Sequence, residues 1–521
     1  MSTCSSVFNY TPVTTGIFKV LCHHYNEDCF DITQNDSGFQ FVAKKIANVG
    51  KKAVIVIAMA LSALVLSILM PLEYAACRIV KSMRKDNCHF FYTTPVFQEY
   101  TKQLIDFTQI FLKEFAEEAQ DDFEKQTLRF AQKIVQFTVA SESVNRRFHQ
   151  EMLTKMRSLI VEKENRMNGP SGLNLKMQNF INALSVWQFT QVNLTESMKN
   201  FITFDAISNI SETSDLHVLP QILENAYQTI CNDNRFLSIF YSFGNLYDAH
   251  LLGDLPTKLD SFTIATHGER SVQVIRTPSV TKDLERQFLT QNLLRAEVNE
   301  EFSNFIRVYA SEGKKHLYVN VMKRSGSEAV RSHAIEAMEE DGTLKDGICV
   351  VTLNTNSEFY QQNGSYEVQD NVIEFKNTFL EKMFEVDGDY YWPKELNRDM
   401  LKAECKKIID NVHLSLFNQS NTLTRDQRKN FIELTYIELI PALAKMIDAQ
   451  TLNVTCKSCI DRGTSILCLL YLKQMIDKKE NVDIKKALTI AYAPAILSMN
   501  RPMTKVRFSR LHSAINHLVQ L

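Results

Sequence analysis

The chain has 521 residues, of which 45 % are hydrophobic and 23 % charged, with a formal net charge of −2. This is the composition of a globular protein, so it excludes disordered, collagen-like and multi-span membrane chains. The near-neutral balance gives no indication of nucleic-acid binding. Few glycines (15) and prolines (11) favour a helix-rich fold over a β-sandwich or propeller. Eleven irregularly spaced cysteines predict free thiols in a reducing compartment.

Residues 1–90 are predicted to form an N-terminal segment with one membrane-contacting helix at 53–70. This stretch reads AVIVIAMALSALVLSILM, and eighteen helical residues span about 27 Å, close to the hydrocarbon thickness of a bilayer. Basic residues on both sides cannot orient a single span. We therefore expect a shallow hairpin or an interfacial anchor on the cytosolic face, with a buried core helix as the alternative.

The rest of the chain divides into two predicted domains. Residues 91–255 carry helical periodicity, which indicates an all-α domain whose protein partner the sequence does not identify. Residues 256–521 alternate β-prone runs with helical stretches, which predicts an α/β (α+β) catalytic domain. The β-prone runs lie at 261–266, 271–277, 316–322 and 347–353.

The candidate chemistry lies in residues 452–476, LNVTCKSCIDRGTSILCLLYLKQMI. A short β-branched stretch ends at Cys456, Arg462 follows six residues later, and an apolar helix is predicted to start near Ser465. This order of strand, loop and helix places a thiol and a guanidinium at the two ends of one loop. The sequences HExxH, GxxxxGK, GxSxG and GxGxxG do not occur in the chain.

Such a loop is suited to phosphate chemistry. Successive loop amides and the helix N-terminus create a positive potential that binds phosphate and lowers the pKa of a thiol. Arg462 can bind two phosphoryl oxygens at once, and Asp461 is the one carboxylate in the loop that could protonate a leaving oxygen. Because arginine and backbone dipoles supply the positive charge, the predicted mechanism needs no metal and no cofactor.

The segment CKSCIDRG at 456–463 resembles the phosphate-binding loop of the bacterial effector phosphoinositide phosphatases, a branch of the C-x5-R cysteine phosphatases. It looks nearest to the Sid-type 3-phosphatases, which intracellular bacteria deliver into host cells. Residues 316–338, 347–362, 422–440 and 493–515 are similar to other parts of that family, so the resemblance covers about half of the chain. Residues 1–250 have no such counterpart.

The resemblance implies roles for individual residues. Cys456 is expected to be the nucleophile, Arg462 to bind phosphate, Asp461 to be the general acid, and Lys457 to approach a further inositol phosphate or the diester phosphate. The other residues expected to line the site are Ser458, Cys459, Ile460, Gly463 and Thr464. It also implies secretion by a bacterial secretion system and action on the cytosolic face of host membranes.

Two positions depart from the family pattern. Gly463 stands where many of these enzymes carry Ser or Thr to help the thiolate leave. Thr464 is the substitute that the sequence offers for this role in hydrolysis of the phosphoenzyme. Ile460 stands where several relatives carry a second lysine. One cation fewer favours a 3-monophosphate or a 3,5-bisphosphate head group over the most highly phosphorylated inositides.

The sequence therefore predicts a phosphoinositide phosphatase that removes the 3-phosphate of PtdIns(3)P or PtdIns(3,5)P2. A protein tyrosine or dual-specificity phosphatase is one alternative, although Trp392-Pro393 is followed by Lys394 and not by an aspartate. An inactive phosphoinositide-binding membrane adaptor is the other alternative. The basic residues near the C-terminus form a patch that could meet anionic lipid: Arg501, Lys505, Arg507 and Arg510.

Overall fold

The computed structural model describes residues 95–116, 172–201, 212–213, 215–232, 257–265, 271–277, 280–286, 293–457, 459–499 and 501–520. The apolar segment at 53–70 lies outside these ranges. Within them, no helix combines the length and the apolar character that crossing a bilayer requires.

The chain forms two compact units. One comprises 1–87, 239–249 and 284–295, of which only 284–286 and 293–295 are described. The other comprises 88–238, 250–283 and 296–521. The helices of the predicted all-α region and the main β-sheet therefore belong to the same compact unit.

The described part of the region before residue 256 is mainly helical, as its periodicity predicts. The helices are α1 (Pro95–Ala116), α2 (Gly172–Thr190), α3 (Thr195–Phe201) and α4 (Leu219–Asn232), with a short strand β1 (Glu212–Thr213) and a 3₁₀ turn (Leu216–Val218) before α4. The apolar side of α4 is buried and includes Leu223, Tyr227 and Ile230. Burial of such a stripe is what stabilises an amphipathic helix in a globular protein.

A five-stranded mixed sheet forms the centre of the remaining region. Its strands are β2 (Thr257–Ala265), β3 (Ser271–Arg276), β6 (His316–Asn320), β7 (Ile348–Thr352) and β8 (Thr451–Thr455), in the order β2-β3-β8-β6-β7. β2 is antiparallel to β3, whereas β3, β8, β6 and β7 run parallel. The strands β4 (Thr281–Arg286) and β5 (Leu293–Val298) pair separately, and β1 pairs with β9 (Val482–Asp483).

Helices connect and cover the parallel strands, so the predicted mixed α/β class is confirmed. They are α5 (Glu300–Ser311), α6 (Ala329–Glu336), α7 (Glu358–Gln361), α8 (Val372–Met383), α9 (Arg398–Leu416), α10 (Arg425–Met446), α11 (Arg462–Lys478), α12 (Ile484–Met499) and α13 (Lys505–Val519). Every residue of β6, β7 and β8 is buried. Burial on both faces explains the nearly continuous apolar run of β7, ICVVT, whereas β6 and β8 also bury polar residues.

β8 lies in the middle of the sheet, between β3 and β6. In open α/β sheets, ligands bind outside the carboxyl ends of the parallel strands, where neighbouring strands continue in different directions. β6 lies between β7 and β8 in the sheet. The chain continues from β6 to β7 on one side, whereas β8, on the other side, is followed by α11. The topology therefore brings the loop after β8 beside the loop after β6 at this edge.

A buried histidine joins β6 to β8 at the opposite end of these strands. In His316, Nδ1 lies 2.8 Å from the Thr451 hydroxyl and Nε2 lies 3.2 Å from Oδ1 of Asn453. The rings of Phe302 and Phe305 pack against it edge-on. Burial lowers the pKa of His316 to about 3, so the imidazole is neutral in the folded protein.

Candidate active site

The loop 456–461 connects the end of β8 to the start of α11. At its start, the Thr455 hydroxyl donates to the Thr277 carbonyl at 2.9 Å, which ties the end of β8 to the segment after β3. At its end, the Asp461 carbonyl accepts from the amide of Ser465 at 3.1 Å and from the hydroxyl of Thr464 at 3.0 Å. These bonds start the helix at Arg462, three residues before the predicted start near Ser465.

The loop brings the expected nucleophile and the expected phosphate-binding arginine to one place. Cys456 is buried, with 4 % of its surface exposed. Arg462 occupies the first turn of α11, where its guanidinium forms a two-point ion pair with Glu328. Its Nη1 atom also donates to the Val321 carbonyl at 3.2 Å. Both contacts come from the segment after β6, so the topology of the sheet determines them.

These contacts use three of the five N–H groups of the guanidinium. Glu328 accepts from Nη1 at 2.9 Å and from Nη2, and Val321 accepts the second Nη1 hydrogen. An arginine has five N–H donors in a planar fork. The Nε–H and the second Nη2–H, which lie on the same edge, therefore have no acceptor among the described residues. This edge has the geometry for two parallel hydrogen bonds to one phosphate.

Charge keeps this ion pair ionised. Burial alone would lower the pKa of Arg462, but the charge and hydrogen bonds of Glu328 raise it above its usual value. Burial would raise the pKa of Glu328, but Arg462 and the amide of Lys323 lower it overall. Glu328 thus orients Arg462 while leaving the Nε–Nη2 edge open.

Lys457 is a second cation beside the nucleophile. It is half-buried, and burial together with the positive charge of Arg462 lowers its pKa to about 8. A bound phosphate dianion would raise the pKa of Lys457 again, because its negative charge favours the protonated amine.

Asp461 does not point its carboxylate to an open position. Oδ1 and Oδ2 accept from Arg501 at 3.0 and 2.8 Å, and Oδ1 also accepts from the Thr504 amide at 2.8 Å. Burial would raise the pKa of Asp461, but Arg501, the Thr504 amide and the charge of Arg507 lower it below its usual range. The carboxylate is thus ionised and joins the loop to the C-terminal segment, an arrangement that disfavours the predicted role as general acid.

The geometry explains why glycine follows the arginine. A Cβ atom added to Gly463 would lie 2.7 Å from the Cys459 sulfur, 2.8 Å from the Val454 carbonyl oxygen and 3.3 Å from the Thr455 Cα. Cys459 adopts a left-handed conformation with φ of 47°, and its thiol lies 3.1 Å from the Val454 carbonyl. The close approach of the loop to β8 therefore leaves no room for Ser or Thr at 463.

The other predicted site residues have different surroundings. Thr464 is buried and its hydroxyl donates within the helix start, so it does not point freely to a phosphocysteine. Ile460 is buried. Ser458 lies outside the described residues.

Sequence reasoning missed three residues that hold the loop. Arg276, at the end of β3, donates to the Cys459 carbonyl from Nε at 3.4 Å and from Nη2 at 3.3 Å. Glu328 and Arg501 pair with Arg462 and Asp461. Their distance along the chain from the loop left no local signal. Arg501 and Arg510 are buried in ion pairs, so these two members of the basic C-terminal set are not exposed.

Comparison with known proteins gives a clear outcome. No family model, curated protein or solved structure matches this chain. The resemblance of residues 456–463 to the effector phosphatases therefore stays a prediction.

Proposed function

We propose that this chain is a cysteine-dependent phosphatase that removes the 3-phosphate of PtdIns(3)P or PtdIns(3,5)P2. The observation that carries the proposal is the open Nε–Nη2 edge of Arg462, at the start of a helix and six residues after the buried thiol of Cys456. Choice of an inositide, action at the cytosolic face of host membranes and bacterial secretion are supported by the resemblance at 456–463.

The proposed reaction has two steps. The Cys456 thiolate attacks phosphorus, an S–P bond forms, and the bond between phosphorus and the inositol oxygen breaks as that oxygen takes up a proton. Water then breaks the S–P bond, which releases inorganic phosphate and returns the thiolate. Arg462 and the loop amides stabilise the non-bridging oxygens in both steps. Asp461 can donate the proton of the first step only after its pair with Arg501 opens and the carboxylate has itself taken up a proton from water.

The test is phosphate release by the purified full-length chain from a panel of phosphoinositides, with a phosphotyrosine peptide alongside. We expect release from 3-phosphorylated lipids, abolished in Cys456→Ser and retained in Cys231→Ser, which alters a half-buried thiol outside the loop. Release mainly from the peptide would establish a tyrosine or dual-specificity phosphatase instead.

One observation favours a second candidate, an inactive phosphoinositide-binding adaptor. Gly463 has no room for a side chain and the Thr464 hydroxyl is engaged, so neither is placed to help the thiolate leave. If the second step fails for this reason, phosphocysteine accumulates on Cys456 and can be detected by mass spectrometry. Head-group binding without phosphate release or phosphocysteine would identify an adaptor.

A further inference from the structure

The basic residues at the start of α13 have unequal surroundings. Arg501 pairs with Asp461, and Arg510 pairs with Glu433 at 3.3 Å, both as buried ion pairs. Lys505 is exposed, whereas Arg507 is half-buried. Arg507 is therefore the partly buried cation of this set that lacks an acidic partner within the described ranges.

The contacts of Arg507 are with neutral groups. Nη2 donates to the Thr355 carbonyl at 2.8 Å, Nη1 donates to the Tyr360 hydroxyl at 3.4 Å, and the guanidinium lies 5.7 Å from the Tyr360 ring centre. Two of its five N–H groups are used in this way. The Tyr360 hydroxyl in turn donates to Glu433, so the nearest carboxylate on this side is one hydrogen bond away. A partly desolvated cation without a direct ion pair is stabilised by a bound anion.

The position of Arg507 also favours a bound anion. Arg507 lies in the first turn of α13, which contains no acidic residue. Cations at a helix N-terminus are disfavoured because the helix dipole is positive there. Asp461, which accepts the Thr504 amide at this end, is already paired with Arg501. Asp461 is therefore shared by Arg501, the Thr504 amide and the charge of Arg507, and the first turn of α13 supplies no further carboxylate.

Arg507 is also connected to the candidate active site. Thr355, whose carbonyl accepts from Arg507, donates its hydroxyl to the Val321 carbonyl at 2.9 Å. The same carbonyl accepts from Nη1 of Arg462. The charge of Arg507 also contributes to the lowered pKa of Asp461, inside the loop. Arg462 thus contacts the segment after β6 and Arg507 the segment after β7, and the hydrogen bond from Thr355 to Val321 joins these two segments.

We propose that Arg507 binds a second phosphate of the substrate while Arg462 binds the phosphate that is removed. This proposal rests on the proposed function and deepens it, because it makes Arg507 a specificity-determining residue. The second phosphate is either a further monoester phosphate on the inositol ring or the diester phosphate at inositol position 1. Arg507 would thereby supply, from α13, the cation that Ile460 does not supply inside the loop.

Binding separates this role from catalysis. In the Cys456→Ser background, calorimetry would measure the affinity for inositol 3-phosphate, inositol 1,3-bisphosphate and inositol 3,5-bisphosphate. Hydrogen bonds to a charged group are strong enough that Arg507→Gln should weaken one or both bisphosphates about 10–100-fold. The monophosphate should change less than about twofold. The affected bisphosphate identifies which phosphate Arg507 contacts.

Lys505→Gln is the matched control, since it removes the same charge from an exposed site in the same helical turn. Equal weakening by Lys505→Gln, or equal loss of monophosphate and bisphosphate binding, would overturn the proposal. Arg507→Lys should restore part of the affinity, and thermal unfolding would verify that each variant is folded. If the wild type releases no phosphate but Arg507 still discriminates bisphosphates, the enzyme proposal fails and the second-phosphate site stands.

Discussion

The pair between Asp461 and Arg501 allows the sharpest test of how the loop is held. We predict that Asp461 serves to anchor the loop, so Asp461→Asn and Arg501→Gln should each destabilise the fold. The two side chains are 18 % and 8 % exposed and share two hydrogen bonds, at 3.0 and 2.8 Å. Removing one partner leaves the other charge buried without this two-point pair.

The expected magnitude follows from this burial. Breaking a buried ion pair by removing one partner costs about 3–5 kcal/mol of unfolding free energy. The loss for Asp461→Asn should fall at the lower end, because the amide oxygen of the new side chain can still accept from the Thr504 amide. The double variant should lose less than the sum of the single losses, by at least about 1.5 kcal/mol, because both remove the same interaction.

Urea unfolding of the single and double variants measures these losses and their coupling. Asp426→Asn is the matched control: Asp426 pairs with Lys429 at 2.9 Å but is 79 % exposed, so its loss should be below about 1 kcal/mol. The lowered pKa of Asp461 determines how its contribution to the unfolding free energy changes with pH. Its contribution is present above the unfolded-state pKa of about 3.9 and is lost as the pH falls through the lower folded-state value.

One result would contradict the anchoring role of Asp461. A general acid matters most for a poor leaving group such as an inositol alkoxide, and little for an aryl phosphate. If Asp461→Asn leaves the unfolding free energy unchanged but abolishes release from phosphoinositides while sparing an aryl phosphate, Asp461 acts as the acid. The interpretation of the Arg501 pair would then be refuted.

Three further predictions concern the loop and the sheet. Gly463→Ala should lower the unfolding free energy by about 1–3 kcal/mol in urea titration, because its Cβ would lie 2.7 Å from the Cys459 sulfur. Gly342→Ala, with no atom within 4 Å of the new Cβ, should not; equal losses would contradict the packing explanation. Arg462→Lys should retain the charge but lose the Nε–Nη2 edge that can form two parallel hydrogen bonds, so phosphate release should fall about 100-fold. Unchanged release would show that this edge does not bind the transferred phosphate. His316, with a pKa of about 3, stays neutral in the fold while the unfolded chain takes up a proton below about 6.5, so stability should fall by about 2 kcal/mol from pH 7 to pH 5. In urea unfolding, His316→Asn should not lose this stability between pH 7 and pH 5. An equal loss in the wild type and the variant would show that His316 does not cause it.

Much of the architecture could be predicted from the sequence because it depends on local patterns. The β-prone runs at 261–266, 271–277, 316–322 and 347–353 correspond to β2, β3, β6 and β7. Buried parallel strands are rich in apolar residues, so β7 (ICVVT) is evident in composition. The buried polar residues of β6 and β8, such as His316 and Asn453, depend on hydrogen-bond partners that the composition does not show. The start of α11 was predicted three residues late, because a side chain and an amide that bond to the Asp461 carbonyl are invisible to apolar periodicity.

By itself, the sequence determined the C-x5-R spacing and the strand–loop–helix context that place Cys456 and Arg462 at the ends of one short loop. Only the tertiary structure decided the partners of the charged groups. Glu328, which orients Arg462, lies 134 residues away along the chain, and Arg501, which holds Asp461, lies 40 residues away. A buried charge pairs with whichever group the packing of distant elements brings beside it, and local spacing carries no information about that choice.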